Sequence, residues 1–475
     1  MNTPDRPAAE PIATRPTTAV QPSRRGVLRA MAALPASALL MGGLPGMLGP
    51  AVAAAPPRGS ATRYTIVPFL NSSDATVNVY ESDDATDFRL VKASAYTPPA
   101  NRIRDASIFK HSNGYYYVTY TTHTWQDTST TIGFARSTDR VNWTFLYDYT
   151  VPIANLSRAW APEWFVDSDG SVNVIVSCST ANDQWIFTPY LLKATNSGLT
   201  AWSSPVALSG IGANHIDTFI VKLGSTYHAF TKNETSKYIE YATATALTGP
   251  YTIRRTGNWA GWGGTREGAA LVQLDNGAWR IFFDGYGDGS YYYSDSYDTF
   301  ATWSAPKKLP SISGTARHFT VLKETVSGGV NLATGVTRSF RSANYTTRYW
   351  QEQSALLNLP VVSSSSSTAE KQASTFTVVP GLADAAGYSF RNAAGRYLRH
   401  WDFRARFDAN DGSSTFARDA TYIARTGTAS GSVRFESYNY PGHYLRHYSY
   451  QLRVDPTDGS AVFRQDSSFV PVTPL

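Results

Sequence analysis

The sequence predicts an all-β chain built as two repeat domains, and three observations carry that prediction. Acidic residues recur at nearly even steps through the first two-thirds of the chain. Each is followed by an apolar run, a glycine turn and an aromatic run. After about residue 336 the period changes and a second repeat begins. Short antiparallel units of this kind bury their faces only by stacking on copies of themselves, so the economical reading is a five-bladed β-propeller followed by a β-trefoil.

The chain opens with a Pro-, Ala- and Thr-rich stretch, then Ser23-Arg24-Arg25-Gly26-Val27-Leu28 and an apolar run from Ala30 to Leu48 that Pro35, Gly42, Gly43 and Pro45 interrupt. This pattern fits a twin-arginine export signal better than a membrane span, and it places residues 1–55 in a leader with the mature chain starting near Pro56. Secretion to the extracellular space is the expectation. The net charge of +6 includes Arg6, Arg15, Arg24, Arg25 and Arg29, offset in the same stretch by Asp5 and Glu10, so the mature chain, at +3, is close to neutral. No basic run argues for nucleic acid, and no other apolar stretch is long enough to span a bilayer; a monomer is the expectation. The single cysteine, Cys178, sits in the apolar run VNVIVSC and reads as an inert buried thiol.

Residues 56–335 read as the propeller. Asp105 in RDASIF, Glu163 in WAPEWF, Asp217 in HIDTFI and Glu267 in REGAAL are separated by 58, 54 and 50 residues, and 51 more reach His318 in ARHFTV. Gly114, Gly170, Gly224 and Gly277 mark the hairpin turns between each apolar run and its aromatic partner. The fifth unit has only its inner part, and the segment Val77–Phe88 imitates the closing strands, so the N-terminal region is expected to complete the ring. Residues that begin the innermost strand of each blade converge on one mouth of the axis. The heads of the repeats are therefore expected to line a single cavity.

Residues 336–475 contain three copies of one unit, beginning at Ser339, Ser389 and Arg434. The second copy carries His400 and Asp419, the third His447 and Asp466, both pairs 19 residues apart; the first has Glu352 and Ala373 instead. A His–Asp pair beside aromatics suits hydrogen bonding to sugar hydroxyls. Two competent pockets and one lost are expected.

On these motifs, the first domain resembles glycoside hydrolase family 43. The second, through YLRHW, YNYPGHYLRHY, ARDATY and RQDSSF, resembles the arabinofuranose-binding family 42 carbohydrate-binding module. The pairing is similar to that of secreted exo-1,5-α-L-arabinofuranosidases. The resemblance implies Asp105 as general base, Glu267 as general acid and Asp217 as modulator of the acid's pKa, acting with inversion of configuration. An inverting pair requires carboxyl groups roughly 6.5–9.5 Å apart. It also implies Trp160 and Arg317 as sugar contacts and arabinan, arabinoxylan and arabino-oligosaccharides as partners. No cofactor is required for the chemistry, and the resemblance places an ion such as calcium near His318. Glu163 replaces the family's usual aspartate, a change expected to bear on pocket width. A β-xylosidase or endo-arabinanase on the same fold, and a sugar-binding protein without catalysis, are the alternative readings.

Overall fold

The structure is a computed structural model that describes residues 56–183 and 185–475; the expected leader lies outside the described residues. Five four-stranded antiparallel sheets form the propeller. Blade one runs through Arg104–Lys110, Tyr116–Thr121, Thr131–Ser137 and Thr144–Thr150, and blades two, three and four open with Leu156–Val166, His215–Leu223 and Glu267–Gln273. Inner and second strands are joined by tight hairpins. Gly114, at the tip of the first, has φ +90°, a conformation that costs glycine nothing and other residues a clash at Cβ.

The closing blade mixes the two ends of the domain. Its innermost strand is Val321–Ser327, and the next three are Ser60–Ile66, Val77–Ser82 and Arg89–Tyr96. The N-terminal region thus supplies three strands to the seal, where the sequence pattern pointed to one. The seven paired positions between Ser60–Ile66 and Val321–Ser327 hold the ring shut. Buried Ile66, Tyr64 and Phe88 continue that seal into the core beside Phe282 and Phe319.

The second domain holds three copies of a unit of four short strands and a single helical turn. The turns are Thr368–Ala373, Ser414–Asp419 and Ala461–Asp466, each capped by a serine (Ser367, Ser413, Ser460) whose side chain accepts a backbone N–H of the first turn. The first strand, Val336–Ser342, pairs with the last, Ser468–Val472, and closes the sheet on itself. The core repeats three-fold: Phe340, Phe390 and Phe435 meet at its centre with Trp350, Leu398 and Leu445 around them. This arrangement is that of a β-trefoil.

Buried charges join the two domains. Tyr444 Oη donates to Asp84 Oδ2 at 2.6 Å, Arg464 Nη1 to Asp87 Oδ2 at 2.7 Å, and Arg425 pairs with both Asp275 (3.0 Å) and Glu436 (2.7 Å). Asp84 and Asp87 belong to the closing blade and Asp275 to the hairpin of blade four. The trefoil therefore rests on the part of the ring where the chain ends meet.

Candidate active site

Each of the first four blades opens with the same irregularity, a β-bulge in the innermost strand. In register, Arg104 faces Thr121, Trp160 faces Ser177, Ile216 faces Lys232 and Glu267 faces Asp284, and one residue is then skipped in each ladder. The residue that follows each of these inner-strand positions lies in the left-handed region: Asp105 (φ +53°), Ala161 (+46°), Asp217 (+53°) and Gly268 (+63°). A bulge re-aims side chains, and here it turns them toward the axis. Three of the four residues are not glycine, so the strained backbone is concentrated at the mouth of the ring.

A circumferential chain of hydrogen bonds holds these bulges. Ala161 N–H donates to Thr121 Oγ1 (2.8 Å), Asp217 N–H to Ser177 Oγ (3.1 Å), Gly268 N–H to Asp217 Oδ2 (3.1 Å) and His318 N–H to Asp284 Oδ2 (3.1 Å). Each bond runs from one blade to the blade before it. The bulges are thus held relative to one another as well as within their sheets.

This register corrects the phase of the acidic repeat. Asp105 and Asp217 occupy the same bulge position, Glu267 lies one residue before it and Glu163 two residues after it. The structural period through the bulges at 105, 161, 217 and 268 is 56, 56 and 51 residues. Glu163 does not line the cavity. Its carboxyl is buried behind the mouth, accepts Ser107 Oγ at 2.9 Å, and is pushed up to about 8 by burial. It therefore has no bearing on pocket width.

The other expected residues come together. Asp105, Trp160, Asp217, Glu267, Arg317 and His318 all line one cavity of about 700 Å³. His318 stands at its floor with Nδ1 3.1 Å from Asp105 Oδ1 and 3.9 Å from Asp217 Oδ2. Burial opposes the charge on this imidazole, but the two carboxylates outweigh it and raise its pKa to about 10. Burial also disfavours ionised Asp105, yet His318 and the hydroxyl of Thr121, which donates to Oδ2 at 2.8 Å, hold this carboxyl well below the usual range. Asp217 goes the other way. Burial, with Glu267 adding to it against the pull of His318, raises its pKa to about 7. The imidazole lies flat against Gly268, where a Cβ would come within 2.6 Å of the ring. Only glycine fits there.

Glu267 is gripped by two cations, Lys232 at 2.8 Å from Oε2 and Arg317 at 3.5 Å from Oε1. Arg317 is fixed in turn by Asp284, whose Oδ2 accepts its Nε at 2.5 Å. Lys232 also pairs with Glu234 and lies over the ring of Tyr286 at 4.4 Å. Lys232, Asp284 and Thr121 were not anticipated. They sit on second strands inside aromatic runs, and what marks them is their place opposite a bulge.

One side of the cavity is aromatic. Trp160 packs on Phe187 (4.7 Å) and Trp185 (5.8 Å), and Trp185 on Trp125 (6.3 Å), so the wall reaches the rim. Among the described residues, no group of three or more His, Cys, Asp or Glu side chains is arranged to hold a metal ion. His318 Nδ1 faces Asp105, and an imidazole whose pKa is raised to about 10 keeps the proton that an ion would have to displace. Cys178 is buried and its thiol is pushed upward by burial.

The trefoil residues form sites across repeat boundaries. His447 Nε2 is 3.0 Å from Asn344 Oδ1, and Asn344 Nδ2 donates to Asp466 Oδ1 at 2.7 Å, with Tyr345 against the imidazole. His400, Asn439, Asp419 and Tyr440 repeat this geometry at 3.0 and 2.7 Å. At the third boundary Glu352 accepts Asn392 Nδ2 at 2.7 Å and pairs with Arg396 at 3.2 Å. The asparagine in each triad comes from the next repeat, or for the last from the first.

Carboxylates from three blades thus surround one cavity of the propeller, walled on one side by aromatic rings. Residues 80–327 match the family described as "Probable glycosyl hydrolase domain", and the chain belongs to this family-43-related group of glycosyl hydrolases. Residues 338–471 match the "Alpha-L-arabinofuranosidase B (ABFB) domain". Among similar proteins, an alpha-L-arabinofuranosidase of Hypocrea jecorina is 32% identical over 182 residues, 37% of this chain and 34% of that protein. A "Probable alpha-L-arabinofuranosidase B" of Aspergillus terreus is 41% identical over 106 residues, 22% of this chain and 21% of that protein. The chain thus spans about a third or less of the length of these relatives. Among solved structures, an exo-β-1,3-galactanase from Clostridium thermocellum aligns at 13% identity and a TM-score of 0.41 over 87% of this chain and 94% of that one. No helix among the described residues is long and apolar enough to cross a membrane.

Proposed function

We propose that the protein is a secreted, inverting, exo-acting α-L-arabinofuranosidase that releases L-arabinose from α-1,5-linked arabinan or arabino-oligosaccharides, with the trefoil tethering it to arabinofuranosyl side chains. The observation that carries the reading is that Asp105, Asp217 and Glu267, from three different blades, share one cavity with an imidazole between two of them. Asp105 is kept ionised by His318 and accepts the proton of a water that attacks the anomeric carbon. As that C–O bond forms, the bond to the leaving oxygen breaks and Glu267 gives its proton to that oxygen. Asp217 holds the Gly268 N–H beside the acid and shares the charge of His318 with Asp105. Arg317 donates to sugar hydroxyls, and Trp160 packs against the ring. The match of residues 338–471 to an arabinofuranosidase B domain, together with two relatives of that name, supports arabinofuranosyl substrates. Export by the twin-arginine route rests on the Arg24-Arg25 motif.

The test is product analysis on linear arabinan and on arabinoxylan, with proton NMR of the first sugar formed. Arabinose as the sole early product from arabinan, in the β configuration, is expected. Oligosaccharide products would mean internal cleavage, xylose would mean a xylosidase, and an α product would make Asp105 a nucleophile.

A further inference from the structure

On the face of the propeller away from the carboxylates, two cavities run into each other. One, of about 720 Å³, lies over the far ends of the inner strands; the other, of about 430 Å³, lies between blade four and the trefoil. Lys222, Gly224, Gln273 and Trp279 line both, so they form one continuous groove. Its trefoil wall is Arg418, and Tyr297, 56% exposed, stands beside it. The lining combines Trp279 and Tyr297 with amides (Gln273, Asn276) and cations (Lys222, Arg418); Lys222 is held by Asp167 at 2.6 Å and Gln273 Nε2 by the Gly277 carbonyl at 3.1 Å, so these groups are fixed and offer their remaining hydrogens. That is the chemistry that takes a carbohydrate, with rings against C–H faces and fixed donors for hydroxyls.

The groove adjoins a trefoil triad by two connections. Arg418 and Asp419 are neighbours on the turn Ser414–Asp419, one lining the groove and the other completing the His400 triad. Asn276 Nδ2 donates to the carbonyl of Tyr438 at 2.9 Å, the next residue is the triad's Asn439, and Tyr440 after it packs on His400 at 5.3 Å. The His447 triad is built instead with Asn344 and Tyr345. The two triads, alike inside, therefore differ in surroundings.

We propose that the groove is the main-chain half of the second-repeat sugar site. A polysaccharide whose arabinofuranosyl branch sits at the His400–Asp419 triad runs across Tyr297 and Trp279 on the catalytic domain. The inference rests on the reading of that triad as an arabinofuranosyl pocket. It makes the two trefoil sites unequal: the His447 site reads a single sugar, and the His400 site reads a branch together with its backbone.

The full chain carrying Asp466→Ala, which silences the third-repeat triad, and Glu267→Gln, which stops cleavage in the propeller cavity, is the parent for the test. Binding of methyl α-L-arabinofuranoside and of arabinofuranosyl-substituted xylan is measured by calorimetry and by retardation in polysaccharide gels. Adding Tyr297→Ala is expected to weaken xylan binding about tenfold, since groove and pocket act on one chain through effective concentration, and to leave methyl arabinoside binding unchanged. Trp279→Ala should do the same. Because Trp279 also packs on Phe300 at 5.3 Å, the exposed Tyr297 is the decisive position. Unchanged xylan binding with intact methyl arabinoside binding overturns the groove alone. Methyl arabinoside binding that a further Asp419→Ala leaves unchanged, and that therefore belongs to the propeller cavity alone, overturns the pocket and the groove with it.

Discussion

Replacing Glu163 with Gln is expected to make the propeller more stable at alkaline pH while changing it little in acid. The carboxyl is buried, and burial raises its pKa from 4.5 to about 8, with Asp217 adding to the rise and Ser107 and His318 opposing it. A carboxyl whose folded pKa lies above its unfolded value binds its proton more tightly in the folded state. Folding stability therefore falls as pH rises from about 4.5 to about 8 and is level beyond. The rise, 8 minus 4.5, multiplied by about 1.36 kcal/mol per pKa unit gives about 5 kcal/mol, an upper bound that relaxation and water entry reduce. Glutamine keeps an oxygen to accept Ser107 Oγ and has no charge to bury. Thermal unfolding of both proteins from pH 5 to 9 should show melting temperatures that separate steadily and then run parallel above pH 8. At about 2–4 °C per kcal/mol for a domain of this size, the final gap should be several degrees. Two curves with a constant offset across that range would refute the account of Glu163 as a proton-holding buried acid.

Two further outcomes follow from the site. Glu267→Gln should lower turnover of arabino-oligosaccharides by about 10²-fold or more while sparing an aryl arabinoside whose leaving group needs no proton; Asp105→Asn should damage both. Steady-state kinetics on the two substrates check this, and equal mild losses would remove both residues from these roles. In the trefoil, Asp419→Ala with Asp466→Ala in the full chain should abolish retention on arabinoxylan and leave the rate on a soluble aryl arabinoside intact, as the propeller cavity is untouched. Normal retention of the double variant would refute the triads as sugar sites.

Much of the architecture was legible because its signals are local. A glycine hairpin between an apolar and an aromatic run is written within some fifteen residues, and it recurs. The bulge that defines the site is not written locally. Nothing in RDASIF or REGAAL says which residue is skipped in the ladder, so four acids at nearly even steps looked equivalent when only Asp105 and Asp217 are. Lys232 and Asp284 lay in aromatic second strands and gained meaning only through partners on inner strands. The strand Ser60–Ile66 was missed because it carries no turn and no repeat neighbour, and its pairing partner, Val321–Ser327, is some 260 residues away. In the trefoil the His–Asp spacing was visible within one repeat. The asparagine that joins each pair comes from another repeat, and only the closed fold brings it there.

The two regions matched by different families are separable as text but not as bodies. Asp84 and Asp87 are buried, and the side chains that answer them, Tyr444 and Arg464, lie in the trefoil; Asp275 likewise loses Arg425 if the chain is cut near residue 335. Asp275 would keep Lys323 at 3.0 Å and Asp84 would keep Ser82 at 2.7 Å, but both would face water in place of the trefoil. A catalytic fragment made by that cut would open to solvent the seam where its first and last strands must stay paired. The binding module thus serves as a lid stone for the ring, and transplanting either half to another host would require a new cover for three carboxylates.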